Sequence, residues 1–289
     1  MQSTIPQSGP VRAAQPRIIP PIKIQGIKSK LVPFIRENAR WDGKGRWFEP
    51  FLGSGVVLFN IQPGRAAASD HNPHIAGFYQ GISRGTITHH AVRRYLEKEG
   101  QRLAKEGGAY YYEIRDRFNS SHDPLDFLFL NRAGFNGLVR FNSKGGYNTP
   151  FCKKPGRFSK AYITKIVNQV YAVERLIRDN KWCFETADWR GALEGMRDND
   201  FAYLDPPYYG RHANYYDTWS ESDMADLAGF LIDRGTRFAL SLWYENKYRR
   251  NDTIDRYFSG FAIHKHEHFY HLGSTENLRN SMVEALITG

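Results

Sequence analysis

Hydrophobic positions in this chain fall into short solid runs near its two ends and into helical spacing through its middle. Gly43 to Phe51 reads as a turn followed by a strand, and Val56 to Asn60 as the opening of a helix. Arg65 to Ser69 is a second short apolar run, closed by Asp70. Runs of this length bounded by turn residues read as short strands. The 3.6-residue period then predicts helices over His74 to Ile82, Thr88 to Leu103, Tyr110 to Phe118 and Pro124 to Ala133. From Leu138 to Phe151 the period changes to two, with Lys144-Gly145-Gly146 between the arms, which predicts a hairpin. Trp182 to Thr186, Phe201 to Leu204 and Arg237 to Leu242 read as strands with helical segments between them. Ala262 to Phe269 and Ser281 to Ile287 alternate without a long helix separating them, so this closing pair is expected to be antiparallel.

Strands alternating with helices at both ends of a chain predict an α/β fold with a doubly wound, Rossmann-like sheet. The helical and hairpin stretch between them is expected to be an insertion. This divides the chain into an α/β domain from residues 21–105 and 180–289, an inserted subdomain at 106–179, and a flexible, proline-rich leader at 1–20.

Composition sharpens the picture at a few points. The chain has 289 residues, 41% of them hydrophobic, which is ample for a core. No apolar run approaches membrane-spanning length and the first twenty residues lack an apolar signal core, so a cytoplasmic protein is expected. Cys152 and Cys183 have neither metal-ligand spacing nor the density of a disulfide framework, and read as ordinary thiols. His264, His266 and His268 recur at period two, but a solvated or phosphate-facing strand explains them better than a metal, and no metal is expected. The net charge of +10 is clustered. No acid occurs from Phe127 to Val173, where Arg132, Arg140, Lys144, Lys153, Lys154, Arg157, Lys160 and Lys165 interleave with Phe135, Phe141, Tyr147, Phe151 and Phe158. A basic run is commonly a solvated face. Alternation with aromatics is what a nucleic-acid groove uses.

Two short motifs carry chemistry. In Glu49-Pro50-Phe51-Leu52-Gly53-Ser54-Gly55, glycines between a strand and a helix let backbone approach a ligand. Asp70, at the end of the next strand, occupies the position that holds ribose hydroxyls in Rossmann-like sheets. It also fits a helix cap ahead of Asn72-Pro73, and the two roles are compatible. The six-residue dinucleotide fingerprint is missing, which argues against a nicotinamide cofactor. The second motif, Asp205-Pro206-Pro207-Tyr208, ends the Phe201 strand, because proline lacks the donor a ladder needs. A bare turn would explain the prolines. An acid, stiffened carbonyls and an aromatic face together also suit a flat molecule carrying an amino group.

With the two motifs in place, the chain resembles the amino-methyltransferases that use S-adenosyl-L-methionine. Asn131-Arg132-Ala133-Gly134-Phe135-Asn136-Gly137-Leu138-Val139-Arg140-Phe141-Asn142, followed by Gly145 and Tyr147-Asn148-Thr149-Pro150-Phe151, narrows this to a resemblance to the Dam family of DNA adenine-N6 methyltransferases, in the motif order called group alpha. It extends from about Lys23 to Ala285. The resemblance implies an S-adenosylmethionine-dependent methyltransferase sheet with an inserted DNA-recognition subdomain. It implies cofactor contacts at Lys28, Glu49, Pro50, Phe51, Gly53, Gly55, Asp70, Asp188, Trp189 and Asp205, and a catalytic loop at Asp205, Pro206, Pro207 and Tyr208. Its DNA contacts would fall on Lys23, Phe135, Asn136, Leu138, Arg140, Asn142 and Pro150, with Lys23, Leu138, Arg140 and Pro150 matching the family's GATC readers. Double-stranded DNA is the implied partner, met by a monomer or a weak dimer. One departure is visible: Ile24-Gln25-Gly26-Ile27-Lys28 lacks the Trp and one Gly of the family's entry motif, which predicts a changed pocket wall.

The expected chemistry is direct in-line methyl transfer to an adenine flipped out of the duplex, held by Asp205 and the Pro206 carbonyl and stacked on Tyr208. The altered entry motif leaves a second reading, a DNA-binding protein on this scaffold that has lost turnover. Methylation of cytosine N4 or of RNA is a third; such relatives usually carry Ser or Asn where Asp205 stands.

Overall fold

In a computed structural model, residues 17–208, 219–269 and 281–289 are described. Of the expected leader, residues 1–16 lie outside them. Seven strands form one sheet: β1 (Trp47–Glu49), β2 (Arg65–Asp70), β3 (Lys181–Thr186), β4 (Phe201–Leu204), β5 (Phe238–Asn246), β6 (Ala262–Phe269) and β7 (Ser281–Thr288). Their order is β3-β2-β1-β4-β5-β7-β6. The first five run parallel, while β7 pairs antiparallel with both β5 and β6. The expected antiparallel closing pair is therefore present. β1 lies between β2 and β4, so strand order reverses there and a crevice opens at the carboxyl ends of β1 and β4.

The described helices are α1 (Val32–Asn38), α2 (Val56–Ile61), α3 (Pro73–Ser83), α4 (His89–Glu106), α5 (Gly108–Ser121), α6 (Pro124–Ala133), α7 (Lys160–Asp179), α8 (Trp189–Glu194), α9 (Glu221–Asp233) and α10 (Asp252–Phe258). Their starts are set by local chemistry. Asn72, Asp123 and Asp188 each accept a backbone N–H at an amino terminus, and Ser220 forms a full capping box with Asp223.

The sheet separates two apolar clusters because neighbouring residues of a strand face opposite sides. Trp47, Phe201 and Tyr203 join one cluster, and Phe48, Ala202 and Leu204 the other. Trp47 is fully buried and stacks between Phe201 and Tyr203, with ring centroids 5.2 and 5.9 Å away. Each buried aromatic of this kind contributes on the order of 1.5–3 kcal/mol. The first cluster continues from the sheet into the helical stretch, taking in Phe118, Phe127, Phe129 and Phe158.

Three segments differ from the sequence expectation. The strand expected in Gly43 to Phe51 is only Trp47–Glu49, flanked by turns. β5 runs on to Asn246 through an irregularity between Trp243 and Glu245, beyond the Leu242 limit that its apolar run suggested. The arms of Leu138 to Phe151 run antiparallel without forming a named strand pair: Phe141 bridges Tyr147, the Asn142 and Asn148 amides donate to the Gly146 and Arg140 carbonyls, and Phe151 bridges Gly134 just ahead of the segment. Side chains add to these backbone bonds: the Leu138 carbonyl accepts from the Tyr147 and Thr149 hydroxyls, and Asn142 Oδ1 accepts from the Lys144 and Gly146 amides.

Candidate active site

The loop from β1 to α2 is built around two left-handed residues, Gly53 (φ 51°) and Gly55 (φ 72°). A Cβ on Gly55 would come within 2.4 Å of the Phe59 ring, so glycine is required there by space as well as by φ. The loop is tied to the next strand by Asp70, whose two oxygens accept from the Gly53 amide at 2.8 Å and the Asn72 amide at 2.9 Å. The Tyr79 hydroxyl donates to the Ser54 carbonyl at 2.6 Å and fixes the loop from below.

Asp205 leaves β4 into the same crevice. Its Oδ1 lies 2.8 Å from the Lys28 ammonium, which a 3-10 turn at Lys28–Lys30 brings in from the other end of the chain. Burial pushes the Asp205 carboxyl above its ordinary range; the Lys28 charge opposes this and the Glu284 charge adds to it. Glu49, at the end of β1, is 2% exposed and accepts from the Trp47 indole at 2.9 Å. Burial raises its carboxyl to about 8, so Glu49 is largely neutral near pH 7. Tyr208 closes the wall: its hydroxyl donates to Glu284 Oε2 at 2.5 Å, and its ring centroid lies 4.8 Å from Lys28 Nζ.

These groups line a cavity of about 400 Å3 that also takes in Ile24, Trp189 and Trp219. That volume is in the range of ligand pockets, roughly 300–1,000 Å3. Its walls combine apolar side chains with carboxylates at Asp70, Asp188 and Asp205 and a cation at Lys28. The Trp219 indole N–H is buried on this wall without a hydrogen-bond partner, edge-on to Phe51 with centroids 5.4 Å apart. An apolar slot with a carboxylate at the end of β2, a cation and an indole donor has the mix of groups that a nucleoside carrying an amino-acid arm would need.

The model of the D12 class N6 adenine-specific DNA methyltransferases matches residues 25–272. The chain belongs to this family. A DNA adenine methylase of Escherichia coli (strain K12) is 30% identical over 216 residues, covering 70% of this chain and 73% of the relative. A DNA adenine methylase of Vibrio cholerae serotype O1 is 34% identical over 165 residues, 55% of each chain, so the match spans about half the length of that relative. Type II methyltransferase M1.LlaDCHI of Lactococcus lactis subsp. cremoris is 26% identical over 196 residues, 64% of each chain.

Against this D12-class background, the cavity brings together most residues singled out from the sequence. Lys28, Glu49, Pro50, Phe51, Gly53, Asp70, Asp188, Trp189, Asp205, Pro206, Pro207 and Tyr208 all line it, and Gly55 stands just behind as the cap of α2. Asp188 is occupied on one oxygen as the cap of α8 and lies 3.6 Å from Arg190 with the other. Ile24 and Ile27 of the departing entry segment both line the cavity, the latter 37% exposed.

Of the residues expected to contact DNA, one borders the cavity. Leu138 lines the cavity itself. Lys23 is bracketed by the buried Asn131 amide, which accepts from its N–H at 2.9 Å and donates to its carbonyl at 2.8 Å. Burial lowers the Lys23 amine below its ordinary range. Arg140 is oriented by Asn148, donating to its side-chain oxygen at 2.7 Å and its carbonyl at 3.0 Å. Phe135 is 50% exposed, and its N–H donates to the Pro150 carbonyl. Asn136 holds a left-handed conformation (φ 53°), and Asn142 forms the turn described above. Of the three histidines on β6, the His268 side chain lies outside the described residues; no metal-ligating cluster occurs among the described residues. No described helix is long and apolar enough to cross a membrane.

Sequence reasoning missed Glu284 and Trp219. The signal for Glu284 was present: it is the one acid in the apolar run Met282-Val283-Glu284-Ala285-Leu286-Ile287. Trp219 follows residues outside the described ones and belongs to no motif.

Proposed function

We propose that this chain transfers a methyl group from S-adenosyl-L-methionine to N6 of an adenine flipped out of double-stranded DNA, with GATC as the first candidate target. The observation that carries this reading is the Asp205 carboxylate at the carboxyl end of β4, paired at 2.8 Å with Lys28 in a cavity shared with the Gly53 loop and Asp70. When bound, the cofactor supplies a methyl group on a positively charged sulfur. Lys28, Asp70 and the Gly53 loop hold it, and Trp189 and Trp219 give it apolar walls. Asp205 and the Pro206 carbonyl accept hydrogen bonds from the adenine amino group, which draws the nitrogen lone pair out of the ring. With the cofactor bound, that lone pair would face its methyl group, and Asp205 would pass the surplus N6 proton to solvent. Tyr208 stacks on the extruded base.

Leu138, at the cavity wall, and Arg140, aimed by Asn148, are the proposed readers of the neighbouring base pairs, with Lys23 and Pro150 beside them. Arg140 suits a guanine edge, Leu138 and Pro150 a thymine methyl, and the exposed Phe135 the gap the base leaves. Asn136 and Asn142 shape this surface. Within this reading, residues 106–179 act as the recognition subdomain, and the protein works in the cytoplasm on chromosomal, plasmid or phage DNA.

The test is methylation of unmodified plasmid by purified protein with S-adenosyl-L-methionine, read base by base by methylation-sensitive sequencing. N6-methyladenine confined to GATC is the expected result. Methylation at another short motif would replace the target and keep the activity; measurable DNA binding with no modified base would overturn the activity.

A further inference from the structure

Glu284 sits on β7 between Trp243 of β5 and His266 of β6 and is 2% exposed. A carboxylate in the middle of three strands stays there only with hydrogen-bonding partners, because burying it without them is strongly unfavourable. Its partner from the cavity is the Tyr208 hydroxyl at 2.5 Å, a charge-assisted distance. The same ring stands 4.8 Å from the Lys28 ammonium, and that ammonium lies 2.8 Å from Asp205. Tyr208 is thereby tied at its tip to the sheet, while its backbone belongs to the two-proline turn.

A phenol ring has two torsions to lose, and a hydrogen bond at its far end removes most of the freedom of both. We propose that Glu284 is a positioning residue for the reaction described above: by anchoring the Tyr208 hydroxyl to β7 it fixes the plane of the ring beside Asp205, so that an entering base meets a stacking surface already in place. The inference rests on the reading that the cavity receives a flipped adenine. It assigns to the closing strand a part in the site that neither motif discloses.

The test compares Glu284→Met, which removes the acceptor at similar volume, with Glu284→Gln, Tyr208→Phe and the Glu284→Met/Tyr208→Phe double variant. Steady-state kinetics are run on a duplex carrying the motif that plasmid methylation identifies, GATC or another, and fluorescence on the same duplex carrying 2-aminopurine at the target adenine. Glu284→Met and Tyr208→Phe are each expected to lower kcat about tenfold, the scale of one lost hydrogen bond to a charged group, with KM for DNA little changed. Both should brighten the 2-aminopurine signal, because a base that is extruded but poorly stacked is less quenched. Glu284→Gln, which still offers an acceptor, should recover most of kcat, and the double variant should be no worse than Tyr208→Phe. Wild-type kcat and fluorescence in Glu284→Met, or losses that multiply in the double variant, would overturn the proposal. Should Glu284→Met fail to fold, Tyr208→Phe decides it, since it removes the donor from the cavity wall and leaves β7 intact. Wild-type protein that extrudes the base without methylating it overturns the activity while the fluorescence arm still decides this inference; protein that does neither overturns both.

Discussion

The cavity loops and the stretch from Gly134 to Phe158 are both irregular in backbone, yet they hold their shape by opposite means. The Gly53 loop and the Asp205 turn leave adjacent parallel strands, so the sheet places them and a few charges finish the job: Asp70 on two amides, Lys28 on Asp205. The Gly134 stretch has no strand beneath it. Asn131 of α6 donates to the Gly137 carbonyl as well as bracketing Lys23, Asn119 pairs with both backbone groups of Tyr147, Asn142 closes a turn, and Arg157 donates to the Arg132 carbonyl. One region inherits its geometry from the fold; the other combines a few local backbone bonds with side-chain amides, phenols and guanidinium groups.

The contrast can be tested from both sides, beginning with the largest effect. Asp205→Ala should cut methyl transfer by about a thousandfold, the scale of a lost transition-state contact, while circular dichroism and DNA affinity stay near wild type. Retained turnover would mean that the strand end is not where the chemistry happens. In the other region, Asn131→Ala leaves Lys23 N–H and C=O and the Gly137 carbonyl without their buried partner, and should cost about 2–3 kcal/mol in urea denaturation. A loss below about 0.5 kcal/mol, typical of surface positions, would show that this stretch does not depend on its side-chain bracket.

Smaller effects sharpen the contrast. Arg140→Ala should lower discrimination between the target and single-base variants by about 1–3 kcal/mol in competition binding, without a uniform fall on all sequences. A uniform fall would assign Arg140 to phosphate. Glu49 gives the cavity region a pH signature. Its carboxyl titrates at about 8 when folded against 4.5 as a free group, so between these values the folded state holds a proton that the unfolded chain has released. Stability therefore falls as pH rises through that window, at up to about 1.4 kcal/mol per unit. Glu49→Gln should flatten the dependence and raise the melting temperature more at about pH 8 than at about pH 5. Parallel curves for the two proteins would mean that Glu49 is ionised in the fold.

How far each region can be read from sequence follows from the same difference. Parallel strands announce themselves as apolar runs, and Asp70 and Asp205 were found because each directly follows one. The ends of β1 and β5 were not, since strand limits there are set by pairing with neighbours distant in the chain. Period two in Leu138 to Phe151 correctly indicated antiparallel arms, but periodicity carries no information on whether backbone or side chains will satisfy them. There the Asn, Gly and Tyr residues themselves were the signal, readable only as a motif. The pairing of Lys28 with Asp205 and of Tyr208 with Glu284 joins opposite parts of the chain, and no local pattern encodes it.

One apolar cluster passes from Trp47 and Phe201 in the sheet through Phe127 and Phe129 to Phe158. In terms of cooperativity, helices α5 and α6 and this side of the sheet share a single melting unit. Loosening at Phe158 is then felt at β1 and β4, and a substitution far from the cavity, such as one that opens a void beside Phe129, lowers the fraction of molecules in which Asp205 and Lys28 face each other. Unfolding followed at Trp47 and at Phe158 should superimpose, and hydrogen exchange in α6 and β4 should report one common opening free energy.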